Sequence, residues 1–385
     1  MFPKNWLIVP LLVLSLLVTA CGGAAAPEET PKEDPEASAT SADAPAGENE
    51  LATELSVYNW ADYIDEQAIT QYEETYGVDV IYDTYASNED LLAKLQAGAT
   101  GYDVIFPSDY MVEQMIALGM LAKLDKNNIP NMANLGERFL NAPYDPGNVY
   151  CMPYQWGTTG IAYRTDVGLE PPTSWAALFD PAEAKKWAEA GGINFLNDQR
   201  ELIAAALKYK GYSLNDKDEA HLNEAKEVIL AVKPLVKTFN SEDYSESLMI
   251  PGEIAISHSW NGQAATAYWE TYDEATGTSQ WAYVIPSEGA MIYQDNMCIP
   301  ATSQRKATAE HFINYLLEPE VGAAITNVTY YASANEAAKP FVSEEILNDP
   351  SIYPPEEVMN KLEWAEKLDE TMFVYDRIWT EIKSQ

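Results

Sequence analysis

Tyr102-Asp103-Val104-Ile105-Phe106-Pro107-Ser108-Asp109-Tyr110 is the stretch that decides the fold. Val104 to Phe106 is a short apolar run that reads as a buried strand; it runs into a turn, and the spacing of residues 111–118 then predicts a helix. The same alternation surrounds it. Residues 55–59 read as a strand, 66–76 as a helix, 78–82 as a strand and 88–97 as a helix. Strands and helices in this order predict βαβ units and a largely parallel sheet, hence an α/β fold. Ser87-Asn88-Glu89-Asp90 supplies a capping serine with an acid three residues on, a structural start for the helix that carries Leu91, Leu92 and Leu95.

In open α/β sheets ligands bind beyond the carboxyl ends of the strands, which makes Ser108 and Tyr110 candidates for a site. Ser108 serves equally well as a plain helix cap. Asn59-Trp60-Ala61-Asp62-Tyr63 occupies the corresponding place after the first strand and brings two rings and a carboxylate together. Taken alone, such rings belong to a core. A cation is nevertheless what this set holds best, because ring faces attract it by about 0.5 to 2 kcal/mol and a carboxylate adds a charge-assisted hydrogen bond.

The motif recurs. A second α/β unit begins near Gly157, with a strand at 159–164, a helix start at Ser174-Trp175 and a strand at 193–196 that ends in Asn197-Asp198-Gln199-Arg200-Glu201. Asp198 and Glu201 share a helical face, either as cap and answering acid of a capping box or as ligands at the helix start. A strand at 253–257 ends at Trp260-Asn261-Gly262 before a helix at 263–269. Strands at 281–286 and 289–299 follow, the last interrupted by Tyr293-Gln294-Asp295. Helices at 306–317, 319–327 and 356–383 complete the pattern.

The chain has 385 residues and a net charge of −37; residues 1–50 hold eight acids and two bases, which leaves −31 for the remainder. A field of that sign repels nucleic acid and anionic lipid and attracts small cations, although acidity also serves solubility alone. Residues 1–20 read as an export signal: Lys4 gives the positive start, 6–20 the apolar stretch, and Val18-Thr19-Ala20-Cys21 a small-residue cleavage site. That ending resembles a bacterial lipobox, which implies a lipidated Cys21. Residues 21–51 are rich in Ala, Pro, Glu, Ser and Thr and cannot offset their ordering entropy, so they form a disordered acidic tether able to span about 30 Å as a coil or about 90 Å if stiffened by proline. Residues 51–385 exceed the usual limit for a single core, so two domains are expected. Cys151 and Cys298 can bridge in an oxidising compartment or remain two buried thiols. The histidines, His221, His258 and His311, are scattered, and no phosphate loop, nucleophile elbow or zinc-protease motif is present. No metal and no cofactor is expected.

Seven stretches carry a family resemblance over residues 52–385: Tyr58 to Tyr63, Thr84 to Glu89, Phe106 to Tyr110, Pro153-Tyr154-Gln155-Trp156-Gly157, Asp198 to Glu201, Trp260-Asn261-Gly262 and Asp295 to Pro300. In that order they resemble the bacterial spermidine/putrescine-binding proteins, the solute receptors of polyamine ABC transporters. The resemblance implies a two-lobed periplasmic-binding-protein fold of type II with a hinge between the lobes, one lobe from 52–155 and 298–345 and the other from 156–297 and 346–385. Chain crossings are implied near 155–158 and 295–298. It also implies that Trp60, Tyr63, Trp260, Tyr293 and Tyr331 wall a cleft, that Asp198, Glu201 and Asp295 bind the amines, and that Asp62, Ser108 and Tyr110 help at one end. Tyr293 stands where spermidine receptors commonly carry a tryptophan, and no glutamine near Trp364-Ala365 matches a family polar contact, which leaves spermidine or putrescine open. Tyr330 and Tyr331 compete for one position.

The expected protein is therefore a monomeric, lipid-anchored receptor on the extracytoplasmic face or in the periplasm, feeding an ABC permease, without nucleic acid and without catalysis. The alternatives are the same fold around a quaternary amine or an oligosaccharide, a glycosidase built on paired carboxylates, ferric binding by Tyr330-Tyr331, and sensing in place of transport.

Overall fold

The computed structural model describes residues 51–98 and 101–384; the export signal, Cys21 and nearly all of the tether lie outside them. The first half runs β1 (Glu54–Trp60), α1 (Glu66–Tyr76), β2 (Asp79–Tyr85), α2 (Asn88–Gln96), β3 (Val104–Ile105), α3 (Asp109–Ala117) and the 14-residue β4 (Cys151–Arg164). It continues with α4 (Ala176–Phe179), α5 (Pro181–Ala190), β5 (Ile193–Phe195), α6 (Gln199–Tyr209), α7 (Glu219–Val232), β6 (Val236–Phe239), β7 (Ile256–Trp260) and α8 (Asn261–Glu270). After a small hairpin of β8 (Tyr272–Asp273) and β9 (Thr278–Ser279) come β10 (Trp281–Val284), β11 (Met291–Cys298), α9 (Lys306–Leu316), α10 (Pro319–Thr329) and β12 (Ala332–Ser333). The chain ends with α11 (Glu344–Leu347), α12 (Glu356–Met359), β13 (Glu363–Trp364) and α13 (Met372–Ser384).

Local chemistry sets the helix starts. Asp65 accepts from the Gln67 N–H and Ser87 from the Asp90 N–H, each satisfying a donor that the first turn leaves free. Gly77, at φ 69°, closes α1 in the left-handed conformation that favours glycine.

The main sheet has the order β2-β1-β3-β11-β4-β7-β5-β6. Its two wings are parallel, β1 with β2 and β3, β5 with β6 and β7, as the βαβ reading requires. The centre departs from the expected largely parallel sheet: β4 runs antiparallel to β11, β7, β10 and β12. The reason is β4 itself, whose first part pairs with β11 and whose second part pairs with β7 and β10, so that one strand passes from one lobe into the other. It is buried from Cys151 through Ala162, Gln155 included, and it extends the strand expected at 159–164 by eight residues toward its start.

Each lobe has its own core. One gathers Leu55, Phe106, Phe312 and Ile325, together with Ile346 and Ile352. The other gathers Trp175, Phe195, Ile229 and the α13 residues Tyr375, Ile378 and Ile382. The helix expected over 356–383 is broken, because the Glu363 N–H bonds to the Ala290 carbonyl and the segment adds β13 to β11. Sheet pairing there overrides helical propensity.

Candidate functional site

β11 carries the central feature. Its register against β4 shifts between Gln294 and Asn296, and Asp295, the residue between them, forms an isolated bridge with Ser108. A bulge re-aims a side chain, and here the carboxylate meets the carboxyl end of β3. Asp295 Oδ1 accepts from Ser108 Oγ at 2.6 Å and Oδ2 from the Tyr63 hydroxyl at 2.7 Å. Burial still wins over both hydrogen bonds and raises the Asp295 pKa to about 7.

The facing wall comes from α6 and β7. Asp198 accepts from the Glu201 N–H at 3.0 Å, so it is the cap of α6. Glu201 does not answer it as a capping box would. Its Oε1 accepts from Thr159 Oγ1 at 3.0 Å and from Trp260 Nε1 at 2.9 Å, while its buried Oε2 has no partner. Burial raises both acids, and for Glu201 the Asp198 charge adds to it. The α3 start resolves the two readings of Ser108: its hydroxyl caps nothing and points to Asp295.

These groups surround one cavity, lined by Trp60, Tyr63, Ser108, Tyr110, Asp198, Glu201, Trp260, Tyr293, Asp295 and Tyr331, ten of the eleven residues expected at the site. Trp60 and Trp260 meet edge to face at 5.9 Å, and Tyr63 and Tyr331 at 4.7 Å. Tyr331 reaches the cavity because Tyr330 takes the left-handed φ of 59° at the end of α10. Its ring lies against Gly262, where an added Cβ would stand 2.3 Å from a ring carbon. Only Tyr331 of the tyrosine pair faces the cavity, which removes the paired phenolates that ferric binding needs.

Asp62 is the exception. It does not line the cavity but stands exposed at φ 51°, with Asp243 and Glu246 as its acidic neighbours. Partial burial and these two charges raise its pKa.

Asn88, Arg200, Gln263 and Met291 also line the cavity and were not expected as site residues. Asn88 lies inside a stretch that reads as a helix start, and its contacts are with residues far away in sequence: its Nδ2 donates to Ser108 Oγ and to the Tyr110 hydroxyl. Arg200 is buried, yet its guanidinium donates to the Leu214 and Glu366 carbonyls, Asn215 Oδ1 and the Tyr375 hydroxyl. Among the described residues no Lys, Arg or His forms an ion pair with Asp198, Glu201 or Asp295. Cys151 and Cys298 are bonded and directly opposite in the β4–β11 pairing, with Cα atoms 4.5 Å apart, which decides between bridge and free thiols.

A two-lobed α/β fold with a ligand-sized cleft at the crossing strands defines a solute-binding protein. Residues 67–354 match the family model of the bacterial extracellular solute-binding proteins, and the chain belongs to that family. Among curated relatives, the putrescine-binding periplasmic protein SpuD of Pseudomonas aeruginosa is 38% identical over 86% of this chain and 92% of its own length. The spermidine/putrescine-binding periplasmic protein of Escherichia coli is 35% identical over 86% of this chain and 91% of its own. A putative spermidine/putrescine ABC transporter structure from Listeria monocytogenes superposes with a TM-score of 0.79 at 34% identity, covering 86% of this chain and 99% of that one.

Proposed function

We propose that this chain is an extracytoplasmic receptor that captures a linear polyamine in the aromatic and carboxylate cavity and delivers it to an ABC permease. One observation carries the reading: Asp198, Glu201 and Asp295 are each at most 7% exposed, none of them forms an ion pair among the described residues, and the buried Arg200, whose charge acts on Asp198 and Glu201, directs its Nη donors to other partners. Three buried carboxylates without ion-pair partners, facing a single buried guanidinium, are costly, and a ligand bearing separated ammonium groups removes that cost. The methylenes between the ammoniums would lie against the aromatic wall that Trp60, Trp260, Tyr63 and Tyr331 form. A sugar offers the rings a face but leaves three buried acids without a cation. The relatives named for putrescine and spermidine support the same ligand class. The lipid anchor at Cys21, the monomeric state and the contact with a permease belong to this proposal.

The test is isothermal titration of the purified mature chain with putrescine, cadaverine, spermidine and spermine, alongside maltose and choline as unrelated ligands. Saturable binding of a polyamine, with a rise in melting temperature, is the expected result. Absence of heat and of any melting shift with all four amines overturns the reading.

A further inference from the structure

Among the residues that line the cavity, Arg200 alone is a cation, and it is 1% exposed. It is the second residue of α6 and stands in sequence between Asp198 and Glu201, the two acids at that end of the site. A guanidinium cannot shed its charge, so in a site for amines it competes with the ligand for these carboxylates. Its charge reaches them, working against the burial that raises both. Yet it bonds to neither.

The reason lies in what holds the guanidinium. Nη1 donates to the Tyr375 hydroxyl at 2.9 Å and to the Leu214 carbonyl at 3.3 Å. Nη2 donates to Asn215 Oδ1 at 2.6 Å and to the Glu366 carbonyl at 3.3 Å. Both Nη groups are thereby fully engaged, and none of the four accepting residues lines the cavity. They belong to α13, to the loop between α6 and α7, and to the segment after β13. The guanidinium also lies 5.4 Å from the centre of the Tyr375 ring. Asn215 is fixed in its turn, because its Oδ1 accepts from the Glu366 N–H at 2.8 Å and its Nδ2 donates to the Trp364 carbonyl at 2.8 Å.

We propose that Tyr375 and Asn215 are positioning residues of the amine site: they hold the Arg200 guanidinium out of the cavity, so that Asp198 and Glu201 stay unpaired for the ligand. This rests on the polyamine reading above. It gives α13 a part in binding although none of its residues lines the cavity. Released from its acceptors, Arg200 can turn toward Asp198, and a buried guanidinium–carboxylate pair must then be broken before an ammonium enters.

The experiment is a mutant cycle read by titration with putrescine, with the melting temperature and circular dichroism of each ligand-free protein recorded. Tyr375→Phe/Asn215→Ala removes one acceptor from each Nη. It is expected to weaken putrescine by about tenfold relative to the native chain, but by no more than about twofold relative to Arg200→Met when both are made in that background, because the competing charge is gone. Tyr375→Phe alone keeps the ring, is expected to lose about threefold by the same route, and carries the test if the double variant does not fold. Affinities within about twofold of native with Arg200 present overturn the proposal. So does an equal loss with and without Arg200, which marks a general loosening of α6 and leaves the polyamine reading standing. Failure of the native chain to bind putrescine or any of the other amines instead overturns that reading itself.

Discussion

Asp295 and Tyr63 meet at 2.7 Å across 232 residues of sequence, joining the bulge of β11 to the loop after β1. The carboxylate lines the cavity with a pKa pushed up to about 7 by burial, from an ordinary value of 3.8. Its folded pKa lies above the unfolded one, so the folded protein binds this proton more tightly. The ligand-free chain therefore loses the Asp295 contribution to stability as the pH rises from about 4 to about 7.

Amine binding runs in the opposite direction, because an ammonium pairs with the ionised carboxylate. Affinity for putrescine is expected to fall by up to about tenfold per pH unit below 7 as Asp295 takes up its proton, with Asp198 adding to the loss at lower pH and Glu201, raised to about 8, already contributing some loss near pH 8. Calorimetry at about pH 6 in two buffers of different ionisation heat should show proton release on binding. Equal affinity at pH 8 and 6 would contradict the assignment.

Asp295→Asn separates charge from shape at the same place. The amide still accepts a hydrogen bond, but an ammonium loses its buried counter-charge, and such losses amount to about 2 to 5 kcal/mol. Binding of putrescine should weaken by at least about thirtyfold, measured by titration. The ligand-free protein should melt no lower than native at pH 8, since a buried charge has been removed.

Gly262 allows the Tyr331 ring to reach the cavity. In Gly262→Ala the new Cβ would approach ring carbons at 2.3 to 2.6 Å, closer than real contacts allow, so the ring must move. Overpacking of this kind costs about 1 to 3 kcal/mol. A drop in melting temperature accompanied by weaker amine binding is expected; native affinity in this variant would show that the Tyr331 wall is dispensable.

Most of the site was readable because each component ends or follows a strand: Trp60 at the end of β1 and Tyr63 after it, Ser108 and Tyr110 after β3, Trp260 at the end of β7. What escaped was set by pairing between distant segments. The antiparallel centre of the sheet depends on β4 serving both lobes, and nothing local in residues 151–164 announces two sets of partners. Asn88 reads as part of a helix start because its partners Ser108 and Tyr110 are 20 and 22 residues away. Residues 356–383 have helical composition, and only the edge of β11 turns Glu363 and Trp364 into a strand.

The Cys151–Cys298 bond closes a sequence separation of 147 residues and joins two strands already paired, on the side of the sheet where Tyr58 and Ile105 pack. It constrains the unfolded chain more than the folded one, and loss of such a bond costs about 2 to 5 kcal/mol. The double variant Cys151→Ala/Cys298→Ala should melt several degrees lower with amine affinity nearly unchanged, because neither sulfur lines the cavity. A large loss of affinity at a temperature where the variant is fully folded would show that the bond shapes the cleft.

Asp62 separates the residues that wall the cavity from those that merely neighbour it. Its carboxylate is outside the lining and is raised by burial and by Glu246 and Asp243, all of the same sign. Asp62→Asn keeps a residue that tolerates the left-handed backbone at φ 51° and relieves this repulsion. Stability should stay level or rise slightly, and amine affinity should change by no more than about threefold, since an exposed charge acts through screening solvent. A loss comparable with that of Asp295→Asn would place Asp62 in direct contact with the ligand, and the binding site would then have to extend past the Trp60 wall to Asp62 and its neighbours Asp243 and Glu246.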